Sequence, residues 1–178
     1  ANPVVIVTNI PGSNQQKSYI MESNLKLNVN IPWINGLSVT ANAAIDKRID
    51  NNKLWEIPFK LYTWDKVTYD TDGMPLLNGS QRGVKDPQLS QSMSDGQSIT
   101  INSLINYERK IADDHKIRIL LGSEASKGES MQFSAFRKYF VSGSIPELFA
   151  GGDLDKDNSG SSSRSARLNY FGRVNYDF

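Results

Sequence analysis

The sequence predicts an all-β fold: a segment of a large antiparallel transmembrane β-barrel with long extracellular loops and short periplasmic turns. Three observations lead there. Five stretches alternate apolar and polar residues with the two-residue period of a strand, most of them for ten residues or more. The links between them are short, long, short, long in order, as in meandering outer-membrane barrels. The strands are also too long for an ordinary soluble sheet, since about 13 residues at a rise of about 3.3 Å span roughly 43 Å, more than twice the usual length.

The first strand, expected over 18–31, sets Tyr19, Met21, Leu25, Leu27, Val29 and Ile31 against Glu22, Asn24, Lys26, Asn28 and Asn30. "PWING" follows, with a proline and an Asn-Gly pair that turn the backbone, and alternation resumes at once. The second strand, 37–49, places Leu37, Val39, Ala41, Ala43 and Ile45 opposite Ser38, Thr40, Asn42 and Asp46. An Asn-, Asp-, Gly- and Pro-rich excursion over 50–96 is read as an external loop with one aromatic stretch, "LWEIPFKLYTW", inside it. The third strand, 97–111, alternates Ile99, Ile101, Ile105 and Tyr107 with Thr100, Asn102, Asn106 and Glu108, interrupted at Ser103. "ADDH" is a tight turn into the fourth, 115–127, with Ile117, Ile119, Leu121 and Ala125 on one face. A second external loop, 128–162, carries "FSAFRKYF" and a short helix, where Ser144 and Glu147 around Pro146 have the spacing of a capping box. The last strand, 163–178, alternates Leu168, Tyr170, Val174, Tyr176 and Phe178 with Arg167, Asn169, Arg173, Asn175 and Asp177.

Composition removes several classes of function. The 178 residues hold no cysteine, which excludes disulfides, thiolate metal sites and thiol nucleophiles. A formal net charge of +1 with no basic cluster disfavours a nucleic-acid surface. No run of about 18 apolar residues exists for a helical span, and "ANPVVIVTNIPG" lacks the features of a signal peptide. Neither fact bears on strands that cross a bilayer.

If the links alternate as in a barrel, Leu25 to Ile31 runs toward the periplasm and Leu37 to Ile45 away from it, with Trp33 suited to an interfacial aromatic girdle. Five strands do not close a barrel, because bacterial single-chain barrels have even strand numbers from eight upward and an open edge in lipid leaves amides unpaired. The expectation is therefore a fragment whose neighbouring strands lie elsewhere.

"NLKLNVNIPWINGLSVTANAAID", "TINSLINYERKIADDHKIRILLGSE", "FSAFRKYFVSGSIPELFAGG" and above all "SARLNYFGRVNYDF" resemble the SusC/RagA family of TonB-linked outer-membrane transporters, from about residue 17 to the end. The resemblance implies a 22-stranded barrel, an N-terminal plug, a SusD-like surface lipoprotein as lid and energy from the TonB complex. It implies import of glycans, oligosaccharides or peptides. The plug, TonB box, carboxypeptidase-like extension and closing strand have no counterpart in this sequence, so this piece is expected to supply barrel wall and external loops.

Candidate sites are few. Trp55, Tyr62 and Trp64, with Asp65 beside them, have the chemistry to contact a sugar or a lid protein, since aromatic faces stack on sugars and a carboxylate accepts from hydroxyls; packing within the loop is the plainer reading. Asp153, Asp155 and Asp157 in "DLDKDNSG" have the odd spacing of a calcium loop, but Asn158 replaces the usual glycine and Arg164 the bidentate glutamate, so a solvated acidic loop is the stronger reading. No other cofactor is expected. His115 is a surface residue beside a turn, and no Ser/His/Asp set accompanies it. Glu22, Asp113, Asp114 and Glu124 are carboxylates with no fixed separation, and receive no role. Lys26, Arg118, Arg167 and Arg173 on the polar face would meet the lumen, salt-bridged to a plug. Enzyme activity is not expected. The competing classes are a soluble β-sandwich carbohydrate-binding module, which requires strands of about five or six residues and a closed core, and a secreted glycosidase, which requires a pocketed carboxylate pair.

Overall fold

The computed structural model describes residues 3–112 and 115–178. After a four-residue helix, α1 (Pro3–Ile6), the described residues form seven strands: β1 (Gly12–Asn30), β2 (Leu37–Glu56), β3 (Phe59–Thr63), β4 (Asn78–Arg82), β5 (Gln88–Ala112), β6 (His115–Lys138) and β7 (Asp157–Asp177). A 3₁₀ turn covers Leu148–Ala150. The long strands form one sheet in the order β1-β2-β5-β6-β7, and β3 and β4 form a separate hairpin. The chain is all-β and antiparallel.

The five long strands overlap the five expected stretches, but all five run to 19 residues or more, and several invade the segments read as loops: β2 continues to Glu56, β5 begins at Gln88, β6 continues to Lys138 and β7 begins at Asp157. The physical reason is that the ladder is made by backbone amides, whatever the side chains are. Where polar residues occupy both faces, alternation vanishes and pairing continues. Ser134 and Ser159, both in the presumed loop, meet hydroxyl to hydroxyl at 2.7 Å across β6 and β7. "LWEIPFKLYTW" is likewise two strands, because Pro58 has no amide donor and separates β2 from β3.

Contacts divide the chain into two compact units. Unit one comprises residues 1–17, 50–93 and 133–160. Its core is Trp55, Leu89 and Phe140, with Ile57, Leu148 and Ala150 packed against them. Leu89 is fully buried, and Trp55 meets Phe140 edge to face at 4.6 Å.

Unit two comprises residues 18–49, 94–132 and 161–178. Its register is antiparallel: Ser130 pairs with Ser163 and Gln132 with Ser161, the partner falling by two as the residue rises by two. In the first turn Ile31 N–H donates to Leu37 O and Gly36 O accepts from Glu108 N–H, at 2.9 Å each. Gly36 has φ +85°, and a Cβ there would lie 1.8 Å from Glu108 O, so both backbone angle and space require glycine. The second turn, expected at "ADDH", falls at Asp113 and Asp114, outside the described residues.

One face of unit two carries exposed Leu25, Leu27, Ile101, Leu121, Leu168 and Val174. This belt has borders. On one side lie His115, Tyr176 and Phe178, the histidine ring stacked 5.9 Å from Tyr176 and 5.5 Å from Phe178. On the other lie Lys47–Asp95 (3.1 Å) and the trio Lys127, Glu129 and Arg164. Twelve positions separate His115 from Lys127 on β6, and twelve separate Arg164 from Tyr176 on β7. The opposite face is polar: Lys116 pairs with Glu108 (2.7 Å), Arg118 with Asp177 and Arg167 with Glu124 (3.1 Å). Arg118 and Arg167 are thus bound to carboxylates of neighbouring strands. The β-sandwich expectation fails here, because the apolar face is exposed instead of packed as a core, on strands of 19 to 25 residues.

Candidate functional site

The sequence-predicted contact residues lie in unit one, and the structure separates them. Trp55, near the end of β2, is 5% exposed in the core beside Leu89 and Phe140. It cannot present a ring to a ligand, which corrects its expected role. Tyr62 on β3 is exposed and crosses to Gly79 on β4, where its ring lies 3.0 Å from the position a Cβ would take. The aromatic covers the strand glycine and leaves its outer face open.

Trp64 and Asp65 begin the connection from β3 to β4. Trp64 donates its indole N–H to Thr68 O at 2.7 Å and packs edge to face on Tyr69 at 5.3 Å. Asp65 accepts from the Val67 and Thr68 amides at 2.9 and 2.8 Å and from the Thr68 hydroxyl. Those bonds, the Thr68 hydroxyl first, lower its pKa from 3.8 to about 2. Asp70 does similar work, accepting from Asp72 and Met74 amides at 3.0 and 2.8 Å. Asp65 is therefore occupied in shaping its turn. The shaped tip presents Val67, Tyr69, Met74 and Leu77, all exposed. The polarity of "WDKVTYDTDGMPLL" hid this, since its acids face their own backbone and its apolar residues face out.

The three aspartates of the calcium-loop pattern go to different partners. Asp153 accepts from Arg137 at 3.0 Å and meets Lys156 at 3.6 Å. The Arg137 hydrogen bond, then the charges of Lys156 and Arg137, lower its pKa. Asp155 accepts from the Tyr139 hydroxyl at 2.7 Å and meets Lys138 at 3.7 Å, and that hydrogen bond is the main cause of the raised tyrosine pKa. Asp157 caps the Asn158 amide. Among the described residues no three His, Cys, Asp or Glu side chains come together as a group that could hold a metal ion.

The capping box is also not formed: Glu147 precedes the 3₁₀ turn without a side-chain cap and instead binds Lys53 at 2.8 Å, while the Ser144 amide donates to Ser142. The "LFAGG" element docks the segment. Leu148 and Ala150 pack on the Trp55 cluster, and Phe149 is 83% exposed. A Cβ on Gly151 would lie 2.6 Å from the Arg137 Cβ and 3.1 Å from the Phe140 ring, so only glycine permits this approach. Arg137 donates to Gly152 O, and the Gly152 amide donates to Lys138 O at 2.8 Å. Exposed Phe149 was missed because the sequence motif reads as uniformly apolar. The single-exposure pattern follows from a three-residue turn that can bury only two of its side chains.

No protein-family model matches the sequence, and no curated protein matches it. Solved structures do. The chain is similar to a chain of the RagAB peptide transporter, at 20% identity and TM-score 0.68 over 93% of this chain and 16% of that one. The RagAB peptide importer gives the same TM-score and coverage in its open-open state at 20% identity and its closed-closed state at 21%. The likeness agrees with the family resemblance at the level of fold, an all-β barrel segment. This chain spans about one sixth of the length of those neighbours.

Proposed function

We propose that the chain supplies wall and external loops to a TonB-dependent outer-membrane importer that takes up glycans, oligosaccharides or peptides with a SusD-like surface lipoprotein. The observation that carries this reading is the bordered apolar belt of unit two. Twelve strand residues span about 40 Å and, at a tilt of about 45°, about 28 Å along the membrane normal, close to the thickness of a hydrocarbon core. Aromatic residues at one border and charged pairs at the other are what interfaces select. The polar face, with its cross-strand ion pairs, is then the lumenal wall. The likeness to a peptide importer supports transport as the role and peptides as the substrate class.

In this reading unit one is the extracellular part. Its core holds the loops in one arrangement, and the exposed tip around Tyr62, Tyr69 and Met74, with Phe149, is the surface offered to a lid lipoprotein or to substrate. The plug and the TonB contact belong to other parts of the whole protein. The role in this reading is one of passage, not of bond cleavage.

The test is to express the whole protein that carries this chain and fractionate the cells. Recovery in the outer membrane as a heat-modifiable, detergent-requiring band, with peptide uptake abolished by deletion of residues 64–77, is expected. Recovery as a soluble, monomeric, cooperatively folded product would overturn the reading.

A further inference from the structure

The belt has one place where its chemistry is uneven. On the apolar face of unit two, Ile99, Ile101, Ala125, Ala166 and Leu168 line a groove of about 530 Å³, with Lys127 and Arg167, the latter paired with Glu124, also on its lining. Ala125 and Ala166 form its low floor between larger Ile and Leu walls. The next position on the same face beyond Ala125 is Lys127, and the next beyond Ala166 on the antiparallel neighbour is Arg164, so both strands place a cation at the same end of the groove.

The charges there do not balance. Lys127 meets Glu129 at 2.9 Å and Arg164 approaches the same carboxylate through Nε at 3.7 Å, so one anion serves two cations. At the other charged border position Lys47 and Asp95 pair one to one at 3.1 Å. The excess positive charge is thus local to the groove. Arg164 is 83% exposed and keeps the terminal nitrogens of its fork for a bidentate acceptor, the geometry that suits phosphate. An apolar trough that opens on an unbalanced Lys/Arg pair is complementary to an amphiphile with an anionic phosphate head and an acyl tail.

We infer that this face binds one anionic phospholipid-type molecule, its acyl chain along Ala125 and Ala166 and its phosphate on Lys127 and Arg164. The inference rests on the reading of this face as lipid-exposed. It assigns the trio a recognition role in addition to marking the border. Glu129 holds the lysine in place and limits the affinity, because it competes with the phosphate for both cations.

The whole protein that carries this chain, purified in a neutral detergent, is titrated with phosphatidylglycerol or phosphatidylcholine of identical acyl chains, and bound lipids are counted by native mass spectrometry. The expected result is one phosphatidylglycerol held in preference. Lys127→Gln with Arg164→Gln removes that preference by about tenfold or more, the size expected for losing charge-assisted contacts. Glu129→Gln strengthens it, and Ala125→Trp, which fills the trough and leaves the cations, weakens binding of both lipids. Heat-modifiability of each variant reports that the fold is kept. Equal retention of the two lipids by the unaltered protein, or a preference that survives the double substitution, overturns the lipid site while detergent-dependent recovery leaves the membrane reading standing. Recovery without detergent overturns both.

Discussion

The two units use the same residue types with opposite polarity. In unit one the large apolar side chains Trp55, Leu89 and Phe140 are interior, and ion pairs such as Lys53–Glu147 and Arg137–Asp153 surround them. In unit two Leu25, Leu121, Leu168 and Val174 are exposed, and the opposite face holds Lys116–Glu108 and Arg167–Glu124. Unit one follows the rule for a protein dissolved in water, where removal of apolar area from solvent drives packing. Unit two obeys the same rule only if its apolar face meets something other than water. The contrast is informative because β2, β5, β6 and β7 each contribute residues to both units, so strand chemistry alone does not account for it.

The comparison can be broken most forcefully at Trp55. Trp55→Ala empties the centre of unit one and should cost about 3–5 kcal/mol, read as loss of amide-exchange protection over 50–57 and 139–150. If protection is unchanged, unit one has no water-type core. The mirror test is Leu121→Arg, which should cost about 2–4 kcal/mol if that face meets hydrocarbon at mid-depth, measured by reversible unfolding in lipid vesicles. The same change at exposed Val67 in unit one should fall within about 0.5 kcal/mol. Equal costs at the two positions would erase the distinction between the faces.

Gly36→Ala tests the turn. A positive φ at a non-glycine residue costs about 1–3 kcal/mol, and contact with Glu108 O adds displacement of the neighbouring strand, visible as lost protection at the Glu108 amide. Arg167→Ala should cost under about 1 kcal/mol, since its partner Glu124 is partly exposed and the pair is screened by water. A much larger loss would show that the polar face is desolvated by a further element.

The smallest effect is a pH dependence at the tip. The Asp65 pKa lies at about 2 in the folded chain against an ordinary 3.8, so the stabilisation from its ionised form is fully present above 3.8 and disappears as pH falls through about 2. Exchange at the Val67 and Thr68 amides, corrected for its intrinsic pH dependence, should accelerate in that window. Asp65→Asn should show the faster exchange at neutral pH and no further change on acidification.

Alternation made the five long strands legible, because a residue whose two neighbours face the other way leaves a period-two mark wherever the faces differ. It was silent where the faces did not differ: Ser134 and Ser159 pair across strands whose continuation carries no such mark. The site was less legible. Aromatic identity drew attention to this stretch, but Trp55 and Tyr62 are both aromatic residues within it, one buried and one exposed, and nothing local distinguishes them. The "DLDKDNSG" spacing suggested convergence that Arg137, Lys138 and Tyr139 prevent by drawing Asp153 and Asp155 to different sides.

By itself the sequence determined the class of fold, the five long strands, the tight first turn at Gly36 and which face of each strand is apolar, since all of these depend on period and backbone chemistry within a few residues. Tertiary structure alone decided where the strands end, which aromatics are spent on a core, which acids are spent on turns and cations, and that Lys127 and Arg164, 37 positions apart, share a single carboxylate. Those outcomes depend on pairing register, and register joins residues that the chain keeps far apart.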